Sequence, residues 1–143
     1  MSRDSLRLVL QANSAFTLLS SVLIILLRGQ ISEMVGLPST MVMFAIGAGV
    51  AMFGGHLAIS ARRRELNFLE LRYFALMDGL WVVGSAAILL IVPMPVAGFW
   101  LVAGAGLIVI DFGILELIGI PSMPNGERQS ALLVGQRTSG LNT

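Results

Sequence analysis

Five side chains sit where their chemistry is out of place: Asn13, His56, Asp78, Asp111 and Glu116 each interrupt a long run of apolar residues. Each run is roughly 20 residues or more, the length a helix needs to cross a bilayer. An ionisable group in mid-membrane costs on the order of 2.5–3.5 kcal/mol on insertion scales, so it needs a partner, a cavity or a place near the interface. Such groups mark ion pathways and proton relays in membrane proteins. A carboxylate such as Asp78 must be paired or take up a proton, and by residue type the lone histidine, His56, is its evident partner.

Spacing places these groups in depth. Asn13 lies six residues beyond Arg7, His56 six before Arg62, and Asp78 six beyond Arg72. At 1.5 Å per residue each is about 9 Å inside its flanking arginine. Glu116 stands five residues before Pro121, near the same plane, whereas Asp111 lies deeper and on another face of its helix, which suits the outer half of a bundle. The spacing predicts a polar layer of Asn13, His56, Asp78 and Glu116 in one half of the bundle, with Asp111 as a secondary candidate. Residues seven apart share a helical stripe, which puts Thr17 and Ser20 with Asn13, Ser85 with Asp78, and Gly49 and Ser60 with His56. Small and hydroxylated residues are what helix interfaces in lipid use, and Gly47, Ala51 and Gly55 add a small-residue ridge. The plain structural role for such a layer is interhelical hydrogen bonding at about 0.6 kcal/mol per bond.

Several chemistries are excluded by residue type. Cysteine is absent, which removes disulfides, thiolate nucleophiles and thiolate metal sites. A single histidine gives neither a His-x-x-x-His metal pair nor a haem clamp between helices, and there is no Gly-x-Ser-x-Gly or phosphate loop. No metal, cofactor or catalytic motif is expected. Asp78 and Asp111 differ in depth, which argues against a proteolytic aspartate pair.

The elements that carry these residues are spans of a membrane protein. Of the 143 residues 56% are hydrophobic and 12% charged, and the mean hydropathy is +0.88. Apolar runs cover about residues 8–27, 40–61, 68–92 and 96–120, and the last two stop at Pro93 and Pro121, where proline cannot donate the next helical hydrogen bond. The expected fold is an all-α bundle of four transmembrane helices over residues 1–120, followed by a flexible cytoplasmic tail, 121–143, rich in Ser, Gly, Asn and Gln. An Ala131–Val134 patch in the tail is a weak docking candidate. The first run is too long for a cleaved signal core and reads as a retained span. Between the first two spans, Ile31, Met34, Val35 and Leu37 suit a short interfacial amphipathic turn or an ordinary loop.

All nine basic residues are arginine, and the net charge of +1 leaves no surface for nucleic acid. Their placement sets orientation, because basic residues flanking spans stay cytoplasmic. Arg3 and Arg7 precede the first span, Arg62, Arg63, Arg64 and Arg72 surround the second loop, and Arg128 and Arg137 lie in the tail. Both termini are expected inside. Arg62, Arg63 and Arg64 also suit contact with anionic lipid head groups. Trp100 and Phe99 stand where an outer aromatic belt belongs, and Trp81 is too deep for one.

Laying the third span over the first matches Leu6-Arg7 with Leu71-Arg72, Asn13 with Asp78 and Ser20 with Ser85, and Gly47-Ala48-Gly49 then falls on Gly104-Ala105-Gly106. Two tandem helical hairpins would give this pattern. On Asn13-Ser14-Ala15, Gly47-Ala48-Gly49 and Asp78-Gly79-Leu80-Trp81, short matches over the first two-thirds of the chain, the sequence resembles the small bacterial four-span membrane proteins of the DoxX-like kind. The resemblance implies a bacterial inner-membrane location and no particular activity.

Two functions fit. The first is a non-catalytic accessory or assembly subunit that packs its lipid-facing helices against membrane-protein partners. The second is a small proton-coupled carrier with a site around Asp78, His56 and Glu116, dimeric because four spans are too few for a lone pathway. The first is favoured by the short loops and the absence of catalytic motifs, and the second by the cost of intramembrane carboxylates.

Overall fold

The structure, a computed structural model, describes residues 3–37, 39–63 and 68–119. The residues described form five helices: α1 (Arg3–Leu26), α2 (Arg28–Met34), α3 (Thr40–Arg62), α4 (Phe68–Ile91) and α5 (Val96–Gly119). Four of them, α1, α3, α4 and α5, are long and apolar enough to cross a membrane. Helix is the form these runs take in lipid because it pairs every backbone N–H and C=O within the segment. The expected four-helix membrane bundle is the fold, and the tail, 121–143, lies outside the described residues.

The helix ends follow local chemistry. At its start α1 runs several residues past the apolar run, as far as Arg3. Ser39 is extended, with φ −135°, and Thr40 opens α3, while Arg63, with ψ 146°, closes it. The last turn of α4 stops before Pro93, and α5 starts directly after Pro95, whose carbonyl accepts the Phe99 N–H at 3.0 Å. The first loop is more ordered than either alternative the sequence offered. It is the short helix α2, with Ser32 buried within it and Val35 buried just after its end, and the Ser32 hydroxyl donates to the Leu37 carbonyl at 2.6 Å. Gly36 then turns the chain with φ +67°, a conformation that favours glycine. Gly98 in α5 meets the α2 backbone: the Met34 carbonyl occupies the space where a Cβ would stand.

The spans pack as two hairpins, α1 along α3 and α4 along α5, with α1 against α5 joining the pairs. Burial repeats between the hairpins. Leu6, Leu10 and Asn13 in α1 are buried, and so are Leu71, Ala75 and Asp78, each 65 positions later in α4. In α3 the buried Gly47, Gly54, Leu57 and Ser60 correspond to the buried Gly106, Gly113, Glu116 and Gly119 in α5, each 59 positions later. The first offset is the one the sequence gives. The second corrects it by two residues, because Gly47 matches Gly106 and not Gly104. Glycine–alanine–glycine repeats every two residues and so fits either register, and only the packing separates them.

The close-approach ridge of α3 is also displaced from the expected one. Gly47 faces Ile24 and Ile25, and Gly54 faces Thr17 and Leu18, whereas nothing lies within 4 Å of the Cβ direction at Gly55. A step of one residue turns a helix by about 100°, so Gly55 falls to the side of the seam that Gly54 occupies. At the end of the bundle that carries the N-terminus of α1, Leu6, Leu10, Leu57, Ala61, Leu71 and Phe74 form a closed apolar cluster. The outward faces remain apolar, as lipid contact requires, with Met52, Leu90 and Ile91 each more than three-quarters exposed.

Candidate functional site

Immediately inward of the apolar cluster, α1, α4 and α5 bring three polar side chains into contact. Asn13 and Glu116 have no exposed surface and Asp78 only 3%. The Asn13 amide Nδ2 donates to Asp78 Oδ2 at 2.9 Å and to Glu116 Oε1 at 2.9 Å. An amide NH2 carries two hydrogens, so one nitrogen serves both carboxylates with nothing left over. With both acids ionised the amide cannot be turned the other way, because its oxygen has no proton to give a carboxylate. That oxygen is occupied in turn: Thr17 Oγ1, one turn along α1, donates to Asn13 Oδ1 at 3.2 Å.

Backbone shape admits this arrangement. Gly113 stands opposite Asp78, and a Cβ there would reach Asp78 Cβ at 3.5 Å, so α5 lies close enough for Glu116, three residues on, to reach the same amide. On the other side of α1, Ser14 Oγ donates to the Gly54 carbonyl at 3.0 Å and ties α3 to the helix that carries Asn13. Phe16 of α1 meets Phe112 of α5, with ring centroids 6.0 Å apart, one turn from the polar cluster.

One atom of the cluster is unsatisfied. Glu116 Oε2 is buried without a hydrogen-bond partner. An orphaned buried polar atom costs roughly 1–3 kcal/mol, and more when it is charged. Two carboxylates on one amide nitrogen also repel. At roughly 5–6 Å and an effective dielectric near 20, two full charges would oppose each other by about 3 kcal/mol. A proton on one of the two acids removes that repulsion and takes the charge off the orphaned carboxyl group.

Comparison with protein-family models, with curated proteins and with solved structures finds no match to this chain. What the chain does is therefore to be read from the residues themselves.

The sequence groups Asn13, His56, Asp78 and Glu116, and the structure brings Asn13, Asp78 and Glu116 together. His56 is elsewhere. It lies on the exposed side of α3, its ring 5.1 Å from that of Phe74 and 5.8 Å from that of Tyr73. Depth alone suggested the grouping, but the buried seam of α3 passes through Gly54 and Leu57, and His56 is turned about 100° from Leu57. Asp78 therefore pairs with Asn13. Asp111 is exposed on the outward side of α5, not turned into the bundle's outer half, because the buried Val109 and Gly113 are each two residues, about 200°, away.

Arg62 and Arg63 are exposed at the end of α3, and Arg64 lies outside the described residues. Arg63 pairs with Glu70 at 2.7 Å, and Arg7 donates to the Arg63 carbonyl at 3.1 Å, so this cluster joins three helix ends. Among the described residues no group of three or more metal-ligating side chains occurs. The sequence pointed to Thr17 through its stripe with Asn13, but the close fit of Gly113 against Asp78 was visible only after the helices were packed.

Proposed function

We propose that this chain is a small proton-coupled carrier of the bacterial inner membrane, with both termini cytoplasmic, and that Asp78 and Glu116 are its proton-binding pair. The observation that supports this most is the fork of the Asn13 amide between two buried carboxylates, one with an unpartnered oxygen. Glue alone does not need acids at both places. An amide at either position would hydrogen-bond as well at less electrostatic cost. In this reading Glu116 carries the proton at Oε2, Asp78 lies beside it as the second acid, and Asn13, held by Thr17, keeps both acids in place through loading and release. The apolar cluster of Leu10, Leu57 and Phe74 stands between the pair and the arginine-bearing ends of α1, α3 and α4, and in this reading it is the barrier that must open for the proton to pass.

The accessory-subunit reading rests on the short loops and the absence of catalytic motifs, and the exposed Asp111 carboxylate adds an outward polar group that a partner could meet. The two readings separate in vesicles reconstituted with the full chain, a trapped pH-sensitive dye and an imposed proton gradient. Proton uptake above that of empty vesicles is expected, and Glu116→Gln or Asp78→Asn should lower it at least about tenfold while helical content and thermal stability stay equal or rise. Uptake no greater than in empty vesicles, or uptake that both variants retain, would remove the carrier reading.

A further inference from the structure

Asp111 and His56 are ionisable side chains that face outward within the membrane spans. Asp111 is exposed on α5 among the exposed apolar residues Leu107, Ile108, Ile114 and Leu115, and among the described residues it has no hydrogen-bond or ion-pair partner. It lies eight residues before Gly119, about 12 Å along the helix from that end. His56 is exposed on α3, six residues or about 9 Å before Arg62, with only aromatic rings against it. A bare carboxylate facing hydrocarbon at that depth is among the costliest surfaces a membrane protein can present.

These two groups complement each other in chemistry, direction and register. One is an acid and the other a donor that becomes a cation on protonation. The spans alternate in direction, so α3 and α5 run the same way, and both groups lie toward the same end of the bundle. Each follows a glycine by seven residues on one stripe, Gly49 before His56 and Gly104 before Asp111. Nothing lies within 4 Å of the Cβ direction at either glycine, so each leaves open space on an outer surface. Laying Gly104 of one helix against Gly49 of another lets the backbones approach closely and brings Asp111 opposite His56. Within one chain this pairing is closed off, because α3 packs on α1 and α5 on α4 and the two are not packed neighbours.

We infer that the occupant of the outer face of α5 is α3 of a second copy of this chain, with Asp111 of one copy hydrogen-bonded to His56 of the next. The contact is head-to-tail, so each copy offers an α5 face on one side and an α3 face on the other, and closure gives a ring. This assembly is independent of what the buried Asn13, Asp78 and Glu116 cluster does.

The absence of cysteine makes the test direct. In the inferred register Met52 faces Leu107, and both are lipid-exposed, so cysteines there leave the fold and the His56–Asp111 contact intact. Purified Met52→Cys and Leu107→Cys chains, mixed, reconstituted into lipid vesicles and oxidised, should form a mixed disulfide dimer that neither variant forms alone. Adding Asp111→Leu should lower its yield at least about fivefold. The exchange of both charges, His56→Asp with Asp111→His, should restore it. Absence of the mixed disulfide would overturn the inference and leave a different membrane protein as the occupant. Self-crosslinking of Leu107→Cys alone would overturn it in favour of a symmetric α5–α5 contact, and a yield indifferent to Asp111→Leu would remove the charge pairing on which it rests.

Discussion

Asn13 is the residue on which the buried site turns. Its amide is neutral, so burying it costs little once its hydrogen bonds are made, and it makes all three described here: one accepted from Thr17 and two given to carboxylates. Its removal is worse than its own loss. Asn13→Leu would leave Asp78 Oδ2, Glu116 Oε1 and the Thr17 hydroxyl without their partner in a dry site, at roughly 1–3 kcal/mol for each orphaned group. We expect the variant to unfold at lower temperature than the parent chain in the same detergent, whereas Asn13→Gln, which keeps the NH2 on a longer arm, should recover part of the loss. Equal stability of Asn13→Leu would show that the two acids do not depend on the fork. These partners were only half legible in the sequence. Depth along the helix can be counted from flanking arginines, and for Glu116 from Pro121, so Asn13, Asp78 and Glu116 were all placed at one level. Which way a side chain points is set by the neighbours of its helix, and His56 shares that level but not that face.

At the scale of the elements, the four spans were legible because lipid demands unbroken apolar length and proline or arginine ends each run. Pairing was legible in part. The offset of 65 between α1 and α4 follows from Leu6-Arg7 and Leu71-Arg72, which are distinctive, but the glycine-rich stretches of α3 and α5 match themselves in more than one register. The repeat explains the asymmetry of the site. Asn13 and Asp78 occupy equivalent positions and meet each other, as a pair beside an axis between two like hairpins would. Glu116 has Leu57 as its equivalent, so one hairpin supplies an acid where the other supplies apolar packing. Orientation belongs to this scale as well, since it rests on the arginines at the span ends. Reporter fusions after Arg64 and at Thr143 should both score cytoplasmic, and one in the 93–95 connection should score external. An external score after Arg64 would invert the bundle and turn the polar cluster toward the opposite side.

For the molecule as a whole, the described bundle is a thin apolar shell around a small buried centre, and the largest part of its surface is made for lipid or for other helices. Within it the two kinds of misplaced charge have different surroundings. The inward acids meet at the Asn13 amide, and the outward Asp111 meets nothing within the described residues. A proton held on the Asp78 and Glu116 pair is the claim on which the proposed activity depends, and infrared spectroscopy of the full chain in lipid at neutral pH reads it directly. A protonated carboxylic acid gives a C=O band distinct from that of a carboxylate. The spectrum should contain such a band that shifts in D2O, because a carried proton must exchange with water each time the apolar cluster opens, and that is lost in the double variant Asp78→Asn with Glu116→Gln. If parent and double variant show the same carboxylic-acid absorption, both acids are ionised in the native bundle, and the pair holds no proton to carry.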